Sequence, residues 1–182
     1  MALWLKSGKL VDPLNIDFMK VTTQDLAWAL AHVNRWGGHC DPPVSVAQHA
    51  VACCFAAWPN PRLSLLALHH DDGEAFFGDM CRDLKSRPEM AWYREQEHRA
   101  TEACIGHFAP EASGINLAAV KDIDTMSLLA ERAQCLPPGK EDAGFHPELE
   151  PLAFDFGRVE TPEYWASVFV VAHYVLKVRL RK

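Results

Sequence analysis

An all-α, single-domain helical bundle with a short N-terminal β-hairpin is the fold class this sequence predicts. Three observations predict it. Apolar residues recur at helical spacing in segment after segment, a Ser, Thr, Asn or Pro stands where most of these segments begin, and Pro- or Gly-rich breaks separate them. The 182 residues, 49% hydrophobic and 23% charged, suit one globular domain. No internal repeat, low-complexity tract or linker divides residues 1–182.

Residues 3–11 read as a small hairpin around Ser7-Gly8. Thr23 is placed to cap a helix over 24–34, whose Leu26, Ala27, Leu30 and Val33 share a face. Residues 37–43, with two glycines and two prolines, form a loop. Ser45 then caps a helix over 46–58, which Pro59-Asn60-Pro61 ends. A third helix is expected over 62–72, with another turn at 74–78 and an irregular stretch to Arg87. Pro88 opens a long amphipathic helix to Phe108, and Asn116 caps one that runs to Cys135. Residues 137–151 read as an exposed loop. Thr161-Pro162-Glu163 starts the final helix, with Trp165, Val168, Phe169 and Ala172 as its core stripe.

The formal net charge of -6 disfavours duplex nucleic acid as a partner, because phosphate-backbone binding needs a basic footprint. The basic tail Lys177-Val178-Arg179-Leu180-Arg181-Lys182 reads as a helix end complementing its dipole. No apolar run reaches the length of a membrane span and the N-terminus lacks a secretory pattern, so no membrane partner and a cytoplasmic location are expected. The six cysteines (Cys40, Cys53, Cys54, Cys81, Cys104, Cys135) are irregularly spaced without a C-x-x-C pair. They read as free thiols, with Cys53 and Cys54 as helix packing and Cys81 beside an acidic cluster.

Chemistry concentrates elsewhere. His70 and Asp71 are adjacent, Glu74 follows closely, His49 lies upstream and Asp124 far downstream. Imidazole nitrogen with carboxylate oxygen suits a borderline divalent metal, and adjacent side chains on a helix diverge by about 100°, so both grip one ion only at a helix end or rim. Glu74 is four residues after His70 and three after Asp71. Helical spacing sets its carboxylate on their face, where a base for an attacking water belongs.

Arg35-Trp36, then Ser45-Val46-Ala47-Gln48-His49, then His70-Asp71-Asp72-Gly73-Glu74 with Gly78-Asp79, then Lys121-x-x-Asp124 ending in Ala130-Glu131-Arg132, make an ordered pattern over about residues 23–133. It resembles the HD-domain phosphohydrolases, and within them the small branch of deoxyribonucleoside 5'-nucleotidases and of phage and prophage nucleotide hydrolases. The resemblance implies His49, His70, Asp71 and Asp124 as ligands of a divalent ion such as manganese, cobalt, zinc, iron or magnesium. It implies Glu74 and Asp79 as the proton-transfer pair. Arg35 and Lys85 supply positive charge to the phosphate, Arg82 assists or replaces Lys85, and His39 lines the phosphate path. The stretch from Gly78 to Lys85 departs from the family's pattern by lacking both of its prolines.

In the related nucleotidases an aromatic residue after the arginine packs beside the sugar and disfavours a 2'-hydroxyl. Trp36 therefore implies a deoxyribonucleotide substrate. The remaining His32, His69, His98, His107, His146 and His173 belong to no constellation and read as surface or satisfied core sites. The expectation is a metal-dependent nucleotide phosphohydrolase, a 5'-nucleotidase of deoxyribonucleoside monophosphates and a homodimer by family. A deoxynucleoside triphosphate triphosphohydrolase is the alternative enzyme, disfavoured by the scarcity of clustered cations. A noncatalytic nucleotide sensor that keeps its metal is the alternative of another class. Ala75 argues against a guanosine tetraphosphate hydrolase, and the missing Gly-Tyr-Pro signature against a cyclic-dinucleotide phosphodiesterase.

Overall fold

The structure, a computed structural model, describes residues 2–138 and 148–181. It is an all-α bundle preceded by a two-stranded antiparallel hairpin, β1 (Leu3–Trp4) and β2 (Leu10–Val11), with Leu3 opposite Val11. The hairpin is tied to the bundle through its turn, where the Ser7 N–H donates to Asp25 at 2.8 Å.

Helix α1 (Thr23–His32) begins one residue earlier than the sequence suggests. Thr22 is the cap: its hydroxyl accepts from the Asp25 N–H while the Asp25 carboxylate accepts from the Thr22 N–H, each at 3.1 Å. This reciprocal pair satisfies two otherwise orphaned donors, and Thr23 offers no equivalent. Helix α2 (Val46–Ala56) starts at the expected Ser45, whose hydroxyl accepts from Gln48 N–H. Every residue from Val46 to Cys54 is buried, so α2 is enclosed by its neighbours. It packs on α3 (Pro61–His69), capped by Asn60, and on α8 (Pro162–Leu180), capped by Thr161. With α1 these helices enclose the main core, around Leu26, Leu30, Val51, Leu65, Leu66 and Phe169.

α3 ends at His69 rather than at residue 72. The cause is local. The His70 ring donates from Nδ1 to the Ala67 carbonyl at 2.8 Å, occupying an acceptor at the helix end. The chain then tightens into three-residue turns, with Asp72 N–H on His69, Glu74 N–H on Asp71 and Phe76 N–H on Gly73. His70 and Asp71 thus stand in the turn between α3 and the short α4 (Glu74–Phe77). Gly73 is in ordinary helical conformation, so conformational freedom is not its role. A Cβ there would overlap the Glu97 carbonyl and the Thr101 hydroxyl of α6 (Ala91–Phe108). The Gly73 N–H instead donates to Thr101 at 3.1 Å.

The stretch expected to be irregular contains α5 (Arg82–Lys85). Pro88 opens a 3₁₀ turn that leads into α6, and Asn116 caps a 3₁₀ turn, Leu117–Val120, that leads into α7 (Lys121–Cys135). Part of the expected loop 137–151, and His146 within it, lies outside the described residues. A smaller apolar cluster of Val44, Ala52, Ala130, Leu152 and Phe156 joins α7 to the far side of α2. All six cysteines are free. Among the described residues no helix is long and apolar enough to cross a membrane.

Candidate metal centre and cleft

His49 projects from the middle of α2, His70 and Asp71 from the turn after α3, and Asp124 from the first turn of α7. Their donor atoms meet. His49 Nε2 lies 3.3 Å from His70 Nε2, 3.2 Å from Asp124 Oδ1 and 3.5 Å from Asp71 Oδ2. His70 Nε2 is 3.4 Å from Asp71 Oδ2 and 4.0 Å from Asp124 Oδ1. Donors about 2.0–2.2 Å from one ion sit roughly 3.0–3.6 Å from one another, so this spacing fits a shared coordination sphere.

Both rings are held in the tautomer that such a sphere needs. His49 Nδ1–H donates to Glu131 at 2.6 Å and His70 Nδ1–H to the Ala67 carbonyl, which leaves both Nε2 lone pairs facing inward. Two facing lone pairs beside two carboxylates call for a cation. Burial opposes charge on His70, yet Asp71 and Asp124 outweigh it and hold its pKa up at about 10, so a cation bound here would take the place of the proton that Nε2 otherwise carries. Burial likewise opposes the Asp124 anion, but hydrogen bonds to both histidines pull its pKa far down. The histidine side chains are almost fully buried, whereas those of Asp71 and Asp124 keep 22% and 27% exposure. The open side of the centre therefore lies at the carboxylates.

One further donor stands here that the sequence assigned to packing. Cys53, one turn after His49 on α2, brings Sγ to 3.7 Å from His49 Nε2. The donor atoms of His49, Cys53 and His70 all lie within 4.8 Å of one another and form a possible metal-binding group. The signal was the four-residue spacing from His49, which sets both on one helix face.

Glu131 is the larger omission. Fully buried on α7, it accepts from Arg35 Nε at 2.8 Å, Trp36 Nε1 at 2.9 Å, His49 Nδ1 and Ser127 Oγ. Burial opposes its charge, but Arg35 and His49 hold its pKa down at about 2. It stands seven residues after Asp124, two helical turns on the same face, a spacing present in the sequence. Arg35 is buried too, with Nη1 3.6 Å from Asp71, so its charge is shared between two carboxylates. Trp36 has φ +57°, rare for a bulky residue, and the two glycines that follow continue in positive φ.

These residues border a cleft of about 810 Å³, lined also by Glu74, Asp79, Arg82, Lys85, Arg94 and Arg132. That volume lies in the range of small-molecule sites. Glu74 is buried, and its Oε2 has no hydrogen-bond partner among the described residues. Burial, then the charges of Asp71 and Asp79, push its pKa well above the ordinary carboxylate value. Burial also raises Asp79. Lys85 Nζ lies 3.9 Å from Glu74 and 2.6 Å from Glu97, an acid on α6 that the sequence did not single out. Arg94 donates to the carbonyls of Lys85 and Arg87, which ties α5 to α6. His39 is exposed and does not line the cleft.

Of the remaining histidines, His69 and His173 are buried and satisfied. His69 Nδ1 pairs with Asp72 at 2.7 Å and its Nε2 meets His173 Nδ1 at 3.0 Å.

No protein-family model matches the chain. It is 29% identical over 139 residues to the uncharacterized protein YfdR of Escherichia coli, an alignment that covers 76% of this chain and 72% of that protein. It is 31% identical over 183 residues to the uncharacterized protein RCAP_rcc00048 of Rhodobacter capsulatus, covering 93% of this chain and 92% of that one. With likeness at that level along nearly the whole length of both, the chain belongs to the family of RCAP_rcc00048.

Proposed function

We propose that this protein is a metal-dependent phosphohydrolase of the HD type that hydrolyses the phosphate ester of deoxyribonucleoside 5'-monophosphates. The observation that carries the reading is the convergence of His49, His70, Asp71 and Asp124 from three separate elements at the wall of a cleft that also holds the buried Glu74. A divalent cation bound there supplies Lewis acidity toward a phosphoryl oxygen and lowers the pKa of a water. The imidazoles and Cys53 favour zinc, cobalt or iron over magnesium.

Glu74 accepts the proton of the attacking water; the charge of a cation nearby counteracts the carboxylates that raise its pKa. Asp79, whose raised pKa keeps it protonated more readily, gives a proton to the leaving 5'-oxygen as the phosphorus–oxygen bond breaks. Lys85 and Arg35 hold the nonbridging oxygens. Trp36, fixed by its bond to Glu131, closes against the 2' position of the sugar and disfavours a hydroxyl there.

Charge balance favours a monophosphate. The cleft is lined by Arg35, Arg82, Lys85, Arg94 and Arg132, and with Asp79 protonated the carboxylates Asp71, Glu74, Asp83 and Asp124 offset all but one of these positive charges. A divalent cation then matches a phosphate dianion, whereas a triphosphate brings roughly two further negative charges. Arg82, Arg94 and Arg132, which line the cleft from α5, α6 and α7, are the observation that keeps triphosphate cleavage as the second reading. Orthophosphate and triphosphate release from matched ribo- and deoxyribonucleoside mono- and triphosphates, with several divalent ions, tests both. Orthophosphate from deoxymonophosphates is the expected product. Triphosphate release selects the second reading, and nucleotide binding without turnover makes the protein a sensor.

A further inference from the structure

One face of α6 clasps the chain from the α3–α4 turn to α5. Tyr93, Arg94, Glu97 and Thr101 lie within about 100° of one another around this helix. Thr101 accepts from the Gly73 N–H at 3.1 Å, and the Tyr93 hydroxyl donates to the Gly78 carbonyl at 2.7 Å. Arg94 donates to the carbonyls of Lys85 and Arg87. Lys85 is held at both ends. α6 fixes its backbone through Arg94 and its ammonium through Glu97, both of whose carboxylate oxygens lie 2.6 Å from Nζ.

The ammonium is paired with Glu97 rather than with Glu74. Glu74 Oε1 is 3.9 Å from Nζ, beyond hydrogen-bond reach, and Glu74 Oε2 is buried with no partner among the described residues. A buried carboxylate with an open oxygen is a strong sink for a cation, since a charge-assisted bond there would offset its desolvation. The flexible four-carbon stem of a lysine can make up such a distance by changing rotamer. Glu97, itself buried, holds the ammonium back. The Lys85 side chain keeps 27% exposure and lines the cleft, so its remaining donors stay open to a ligand.

We propose that Glu97 is a positioning residue that keeps the general base free: by engaging the Lys85 ammonium it stops that cation from closing on Glu74, and it presents the remaining donors of Lys85 to a phosphate oxygen. This role rests on the phosphohydrolase reading of the cleft. Without the Glu97 charge, Lys85 closes on Glu74 and takes the lone pair that would receive the proton of the attacking water. The lysine charge stays in the cleft while one negative charge leaves its surroundings, so the attraction for phosphate does not fall. Turnover is lost and binding is kept. Damage to packing would weaken both together.

Steady-state kinetics on a deoxyribonucleoside monophosphate, with calorimetric binding of orthophosphate to the metal-loaded chain, test this. Glu97→Gln keeps the shape and removes the charge. It is expected to lower kcat by about tenfold or more, a part of what a general base supplies, while KM and the orthophosphate Kd stay within about threefold of wild type or tighten. Glu97→Ala removes the same charge without an amide in its place and is expected to show the same split; either variant decides the matter if the other fails to fold. In a Lys85→Met background, where no ammonium can cap Glu74, Glu97→Gln is expected to cost no further kcat. A wild-type kcat in the Glu97 variants overturns the inference, as does an equal loss of kcat in the Lys85→Met background. A rise in KM and Kd alongside the loss returns Glu97 to packing. A wild type that hydrolyses none of the nucleotides removes the phosphohydrolase reading itself, and this role with it.

Discussion

At the scale of single residues, the site depends on groups with opposite tasks. Glu74 lines the cleft with a buried, unpartnered oxygen and is not one of the four converging donors. Glu74→Gln is therefore expected to keep the metal and lose turnover by at least about a hundredfold, the lower range for a general base. Metal content by atomic emission and rate are measured on the same preparation; a wild-type rate moves the base elsewhere. Glu131 is the converse case, since it acts through His49, Arg35 and Trp36. Glu131→Gln is expected to weaken metal affinity by about 10–100-fold, the usual cost of disturbing a partner that orients a ligand. The same residue gives a pH signature. Its folded pKa of about 2 lies below the ordinary glutamate value, so the stability it contributes is present above about pH 4.3 and is lost as pH falls toward 2. Denaturant unfolding across that window is expected to show a shallower acid limb in the Gln variant than in the wild type.

At the scale of elements, the decisive feature is the α3–α4 turn. It ends α3 early, turns His70 and Asp71 toward α2 and α7, and presses Gly73 onto α6. Gly73→Ala places a methyl against the Glu97 carbonyl and Thr101, backbone and side chain of a packed helix. The expected loss is about 1–3 kcal/mol of stability, as for other overpacked sites. It is also expected to reduce metal affinity, because the turn must retreat from α6 and carry its ligands with it. A thermal midpoint and metal affinity equal to wild type would show that the turn has slack. α1 and α2 illustrate simpler logic: a capping box and a single Ser cap set where each begins, independently of the site.

At the scale of the whole molecule, the proposed ion would join α2, the α3–α4 turn and α7, elements far apart in sequence. A ligand that binds only the folded state stabilises it by mass action, about 2.7 kcal/mol at a free concentration one hundred times Kd. The thermal midpoint is expected to rise with zinc, cobalt or manganese and to fall with a chelator. Asp71→Ala is expected to abolish that response. An unchanged midpoint with every divalent ion would remove the metal from the folding balance and from the proposed function.

The four converging donors were implied by the resemblance of their ordered motifs to the HD-domain phosphohydrolases, whereas the helical class, the hairpin and the caps at Ser45, Asn116 and Thr161 were legible in the sequence by itself. Those features rest on local propensity, periodicity and the chemistry of side chains, which act over a few residues. The position of Thr22 as a cap depended on which way the Asp25 carboxylate turned. Cys53 stands one turn from His49 and Glu131 two turns from Asp124, but those spacings, like the position of Glu97, did not assign a role, because a buried carboxylate or thiol takes its role from residues 4 to 96 positions away. Only the tertiary structure decided that Glu131 gathers Arg35, Trp36 and His49, and that Gly73 serves close packing against α6. It also left the outer face of α8 apolar and exposed. Each of these depends on which surfaces the packed bundle brings into contact, a long-range property that no window of sequence contains.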